Sequence, residues 1–150
     1  MMSFASVDEL RAAAGTSIGL TDWLTIEQDR INLFADATDD HQWIHVDPEK
    51  AAAGPFHSTV AHGYLTLSLL PALVGDRLRV PGVRMAVNYG LNKVRFPAPV
   101  PVGSRVRAEL TIVSVEDVDG GLQITYRATV EREGHAKPVC VAEAVARIYL

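Results

Sequence analysis

Residues 34–48 read FADATDDHQWIHVDP and carry the densest chemistry in the chain. Asp40 stands five residues before His45, with Gln42 between them. A carboxylate and an imidazole facing one water can divide acid and base work. Histidine titrates near neutrality, and burial can raise an aspartate toward it. On spacing alone, the plainer reading is a helix C-terminus followed by polar capping residues. His41 and His45 lie four apart, as two ligands on one helical face would. No HExxH and no cysteine accompanies them, and the segment does not read as regular helix, so no metal is expected. His62 opens an apolar stretch, where a structural hydrogen bond is the simpler role. His57 reads as a loop residue.

These groups need elements to hold them. Thr25 with Gln28 reads as a capping box opening a helix that runs to about Thr38. Asp47-Pro48 reads as a second start, with Asp at the cap and Pro at the first helical position. Gly54-Pro55 then breaks it. Residues 60–74 are apolar nearly all round, which predicts a helix surrounded by other structure. Beyond Pro81-Gly82 the pattern changes from helical to period two. Val106, Ala108, Leu110 and Ile112 alternate with polar residues, as do Leu122, Ile124, Tyr126, Ala128 and Val130. These predict half-buried antiparallel strands. Asp119-Gly120-Gly121 joins them in a hairpin, and Glu133-Gly134-His135 makes the next turn. Residues 139–149 are apolar on both faces and predict a central strand. An earlier strand lies within 84–96, closed by Pro97, Pro99 and Pro101. A long antiparallel sheet and one buried helix have a natural solution, in which the sheet curls around the helix. That is the hot-dog architecture, an α+β fold. Its exposed edge strand predicts edge-to-edge homodimerisation.

The whole chain bounds these readings. Its 150 residues suit a single domain, taken here as 1–150. Hydrophobic residues make up 48%, too many for a disordered chain. The net charge of −4 argues against a chain built to hold nucleic acid. Cys140 is the only cysteine, which excludes an internal disulfide framework and fits a reducing compartment. Residues 1–10 do not read as a signal peptide. The longest apolar stretch falls short of the roughly 20 residues that span a bilayer. A soluble, cytoplasmic protein is expected, without membrane insertion.

The chemical segment resembles the signature of the MaoC-like hydratases, the (R)-specific enoyl-CoA hydratase family. That pattern has an aromatic residue, a spacer, Gly-Asp-x-Asn-Pro-aliphatic-His, then Asp-Pro. Phe34, Asp40, Ile44, His45 and Asp47-Pro48 match it. His62-Gly63 matches the His-Gly pair that opens the hot-dog helix. The run 88–100, NYGLNKVRFPAPV, resembles the nodulation-protein-N-like branch. The resemblance covers about residue 19 to the C-terminus. Asp39, Gln42 and Trp43 stand where the family has Gly, Asn and Pro. Pro71 stands where some members carry a serine.

The resemblance implies hydration of a trans-2-enoyl-CoA to an (R)-3-hydroxyacyl-CoA, reversible as dehydration. Asp40 and His45 would be the catalytic pair, with Gln42 keeping the role of the family's amide. The Gly63 backbone N–H, at a helix N-terminus, is suited to hold the thioester oxygen as charge develops. Lys93, Arg95 and Arg84, on or near one strand, would meet the phosphates of coenzyme A, which belongs to the substrate. The alternative for them is a solvated strand face. No dissociable cofactor is implied. Two other functions remain open at this point. A hot-dog acyl-CoA thioesterase commonly carries an acid on or near the central helix, and residues 60–74 contain none. A non-catalytic acyl-CoA or acyl-carrier-protein binding module would bind without turnover.

Overall fold

The computed structural model of the chain describes residues 3–150. One antiparallel sheet dominates it. Strands β1 (Ser17–Leu20), β2 (Leu24–Thr25), β3 (Met85–Arg95), β4 (Arg105–Val118), β5 (Gly121–Arg132) and β6 (Cys140–Tyr149) lie in the order β1-β4-β5-β6-β3, with β2 also paired to β4. The alternation in β4 and β5 is what half-buried pairing requires. Val106, Ala108, Leu110 and Ile112 are buried, as are Leu122, Ile124, Ala128 and Val130. A register shift between Ile112 and Ser114 leaves Val113, on the outward face, without a partner in β5. Gly121 begins β5 because a Cβ there would lie 1.9 Å from the Ile148 carbonyl oxygen. β6 lies between β5 and β3, the central place expected for residues 139–149.

The helices are α1 (Val7–Ala12), α2 (Gln28–Thr38), α3 (Trp43–Val46), α4 (Pro48–Ala52), α5 (Gly63–Ser68) and α6 (Leu70–Val74). Leu65, Leu69, Leu70, Leu73 and Val74 form one core with the inward residues of β4, β5 and β6. Each such side chain contributes about 1.5–3 kcal/mol when fully removed from water. This is the hot-dog arrangement, sheet around helix.

Three expectations need correction. The 60–74 stretch is not one helix. Val60 bridges Pro101, and the helix breaks at Leu69, which ends α5 and caps α6. Pro71 lacks an N–H and is tolerated in the first turn of a new helix. Nor is the stretch wholly buried, since Tyr64 is 71% exposed and Pro71 and Ala72 face outward. The capping box does not form: Thr25 pairs with Arg105 in β2, and α2 is capped by Glu27 without a side-chain bond. Finally, the first half is not purely helical, because the short strands β1 and β2 extend the sheet beyond β4. Among the described residues, no helix is long and apolar enough to cross a membrane.

Candidate active site

The site begins where α2 ends. Asp39 caps that helix in the left-handed conformation, at φ +60°. Aspartate is one of the few residues besides glycine that visit this region readily. The turn leads into the short loop that carries Asp40. One Asp40 carboxylate oxygen accepts from the Gln42 backbone N–H at 3.4 Å. The contact Gln42 makes with Asp40 is thus a main-chain one, and the residue is exposed. Trp43 does not turn toward the pair: its ring lies against Gly54 and beneath the Lys50 ammonium. Asp47 caps α4 by accepting from Lys50 N–H at 3.1 Å, with Pro48 in the first turn.

His45 is 7% exposed on the single turn α3. Its Nδ1–H donates to the Val60 carbonyl at 2.7 Å, and Val60 N–H donates to the Ile44 carbonyl at 2.9 Å. Two bonds thus lock α3 to the strand-like segment preceding α5. Gln28 adds a third tie. Its Nε2–H donates to the His45 carbonyl at 2.8 Å, and its Oε1 accepts from the Thr59 hydroxyl. The bond to Val60 fixes the tautomer, so His45 Nε2 is the nitrogen left for chemistry. Burial pulls the His45 pKa below its ordinary value of 6.5. The Val60 bond opposes that shift, neighbouring His62 adds to it, and Asp40 works against it.

His62, 3% exposed, caps α5. Its Nε2–H donates to the Asp40 carbonyl at 2.9 Å. Its ring stacks on His45 with centroids 3.8 Å apart and planes 20° apart, and it tilts against Phe34. One oxygen of Asp40 and one ring nitrogen each of His45 and His62 lie within 4.8 Å of one another. A single water fits between groups so spaced. These three are also the residues that could hold a divalent ion. His41, the other half of the four-apart histidine pair, is elsewhere: it is exposed and bonds Asp36 at 2.9 Å.

Gly63 opens α5 beside this cluster. A Cβ at Gly63 would lie 3.1 Å from the Phe96 ring, so the close neighbour that demands glycine is Phe96. A cavity of about 320 Å³ lies there, lined by Gly63, Thr66, Phe96 and Val139. The Thr66 hydroxyl, buried on its wall, finds no partner among the described residues. Farther along the helices, two apolar cavities of about 260 and 310 Å³ share Pro71, Asn88, Tyr126 and Ala146 as walls. They form one trench between α5–α6 and the inner faces of β3, β5 and β6. Burial raises the pKa of the Tyr126 phenol within it.

The basic candidates separate. Lys93 and Arg95 share the outer face of the sheet and, with Arg127 and Glu143, line a cavity of about 410 Å³. Arg84 lies at the opposite end of β3, where its guanidinium donates to the Leu150 carbonyl. Sequence reasoning missed Gln28, Thr59 and Arg127. Gln28 was readable only as a cap, because its true partners are 17 and 31 residues away. Arg127 sat in a strand alternation with nothing to mark it.

Residues 9–134 match the family model described as MaoC like domain. Over 148 residues the chain is 63% identical to 3-hydroxyacyl-thioester dehydratase Z of Mycobacterium tuberculosis, covering 98% of each chain. It is 43% identical over 142 residues to Nodulation protein N of Rhizobium leguminosarum bv. viciae, covering 91% of this chain and 87% of that one. Among solved structures, the (R)-hydratase from A. caviae involved in PHA biosynthesis superposes with a TM-score of 0.71 at 26% identity. That match covers 89% of this chain and 94% of the other.

Proposed function

The chain belongs to the MaoC-like domain family, and from that premise we propose that it catalyses (R)-specific hydration of trans-2-enoyl-CoA and the reverse dehydration. At the coarser level it is a hydro-lyase of hydroxyacyl thioesters, as its dehydratase and hydratase relatives are. The observation that carries the finer reading is the meeting of the Asp40 carboxylate with a His45 whose tautomer is fixed.

In hydration, His45 Nε2 takes a proton from water as the oxygen bonds C3. Asp40, in its protonated form, gives a proton to C2 on the same face. In dehydration the Asp40 carboxylate takes the C2 proton while the His45 imidazolium protonates the leaving hydroxyl. The pair holds one transferable proton in both directions. Burial suits His45 to the basic form, because it disfavours the imidazolium. Such acid–base groups typically contribute about 10²–10⁴-fold. The Gly63 N–H is assigned to the thioester oxygen as enolate charge develops. No cofactor enters this scheme.

The acyl chain is assigned to the trench along α5–α6. Lys93 and Arg95, now joined by Arg127, are assigned to coenzyme A phosphates reaching the outer face. Arg84 lies too far along β3 to join them. We further assign a homodimer. β3 is an unpaired edge that exposes Met85, Tyr89 and Leu91, with Tyr64 and Phe96 beside it. A second copy would cover this apolar strip.

The test is to mix the protein with crotonyl-CoA, follow loss of the conjugated thioester's ultraviolet absorbance, and assign the product's configuration. An (R)-3-hydroxy product supports the proposal. Release of free thiol from acyl-CoA would turn it toward a thioesterase. Tight acyl-CoA binding without turnover, repeated with longer enoyl chains, would turn it toward a binding module. Molar mass by light scattering checks the dimer.

A further inference from the structure

We infer that His62 is a positioning residue that sets Asp40 and His45 relative to each other. The inference rests on the proposed roles of that pair. The His62 side chain touches both halves, which Gln42, lying between them in sequence, joins only through its main chain. The His62 Nε2–H bonds the main-chain carbonyl of Asp40 at 2.9 Å, and the His62 ring lies flat on His45 at 3.8 Å. Asp40 needs such a tie more than His45 does. His45 is already held by Val60 and, through its carbonyl, by Gln28. Asp40 sits in an exposed loop between α2 and α3, and its carboxylate has one long hydrogen bond at 3.4 Å. The bond from His62 therefore pins the peptide that carries the loosest member of the pair to the first turn of α5.

The ring itself is fixed on both sides. Phe34 of α2 packs against it at 4.8 Å, and His45 of α3 stacks on it. Donation from Nε2 leaves Nδ1 as a lone pair, and Nδ1 is buried with no partner among the described residues. Leaving a polar atom unmade costs stability. A phenylalanine or leucine at this position would fill the space without that cost but could not hold Asp40. The imidazole is placed where packing alone does not ask for one. Two titratable groups face His45: Asp40 from the loop after α2 and His62 from the start of α5. From α2, only the uncharged Gln28 and Phe34 enter the cluster.

Two variants separate these contributions. His62→Phe keeps a stacked ring and loses the donor. His62→Gln can place an amide N–H where the Nε2–H lay and loses the stack. In crotonyl-CoA hydration, His62→Phe should lose about 10²-fold in kcat, the scale of a misplaced reacting group, with KM little changed. His62→Gln should recover a measurable part of the lost kcat. Thermal melting of both variants is recorded alongside. Wild-type kcat in His62→Phe would overturn the inference. So would equal kcat losses in both variants that track their loss of thermal stability, which marks a packing role. If His62→Phe does not fold, His62→Ala and His62→Gln carry the test: equal kcat in the two, one without and one with the donor, overturns the inference. Asp40→Asn and His45→Gln are run in parallel. If they stay active, the pair itself is misassigned; if they fail while His62→Phe does not, only this inference falls.

Discussion

Ten residues of this chain contain the same spacing twice. Asp36 and His41 are five apart, and so are Asp40 and His45. The two pairs interleave in one segment, yet they fold into different chemistry. Asp36 and His41 bond each other at 2.9 Å on the surface, with side chains 74% and 49% exposed. That pair is closed on itself and solvated. In the second pair the histidine is buried and spends its Nδ1 proton on the Val60 carbonyl. Its other nitrogen and the Asp40 carboxylate are left facing a shared space. The difference lies in what arrives from elsewhere in the chain. Val60, His62 and Gln28 all converge on the second pair, and none of them reaches the first. Spacing proposes a pair, and distant contacts decide whether it is poised or merely satisfied.

The largest expected contrast is between the two histidines. His45→Gln should lose about 10²–10⁴-fold in turnover, the usual share of a general base. His41→Gln should leave turnover unchanged. Steady-state kinetics on crotonyl-CoA checks both.

Next comes the scaffold that distinguishes the pairs. Gln28→Ala removes the donor to the His45 carbonyl and the acceptor for Thr59. Leaving buried groups unmade should cost about 1–3 kcal/mol, read from denaturant unfolding. Turnover should fall while KM holds, because α3 loses one of its ties.

The pH dependence of stability sharpens the comparison further. The folded-state pKa of His45 is lowered, so the unfolded chain binds a proton more readily below 6.5. His45 therefore contributes stability fully above that pH. The contribution falls as pH drops from 6.5 toward the lowered folded value. Urea unfolding across this window should show the loss in the wild type and a shallower one in His45→Gln. The smallest effect belongs to the exposed pair. His41→Gln should change stability by no more than about 1 kcal/mol, and less at high salt.

Much of this was legible because some signals are local. The alternation of Leu122, Ile124 and Ala128 states which face of β5 is buried, and Asp47-Pro48 states where α4 starts. Other features depend on partners far away in sequence. Residues 60–74 look uniformly apolar, but Tyr64 and Pro71 face outward on a helix that breaks at Leu69. Leu20 and Leu24 belong to strands too short to alternate, held only by β4. Within the site, Asp40, His45 and His62-Gly63 could be picked from their motif. Gln28 could not, because a polar residue opening a helix reads as a cap whatever its side chain later holds. Arg84 and Lys93 look alike on one strand, yet nine residues of extended chain put them about 30 Å apart.

The central claim is that Asp40 and His45 form the poised pair, and it is tested most directly on their aspartates. Asp40→Asn and Asp36→Asn, equally folded by circular dichroism, are compared for crotonyl-CoA hydration under identical conditions. The account predicts that Asp40→Asn loses turnover by at least about 10²-fold while Asp36→Asn matches the wild type. Retained turnover in Asp40→Asn, or equal losses in the two variants, would contradict it.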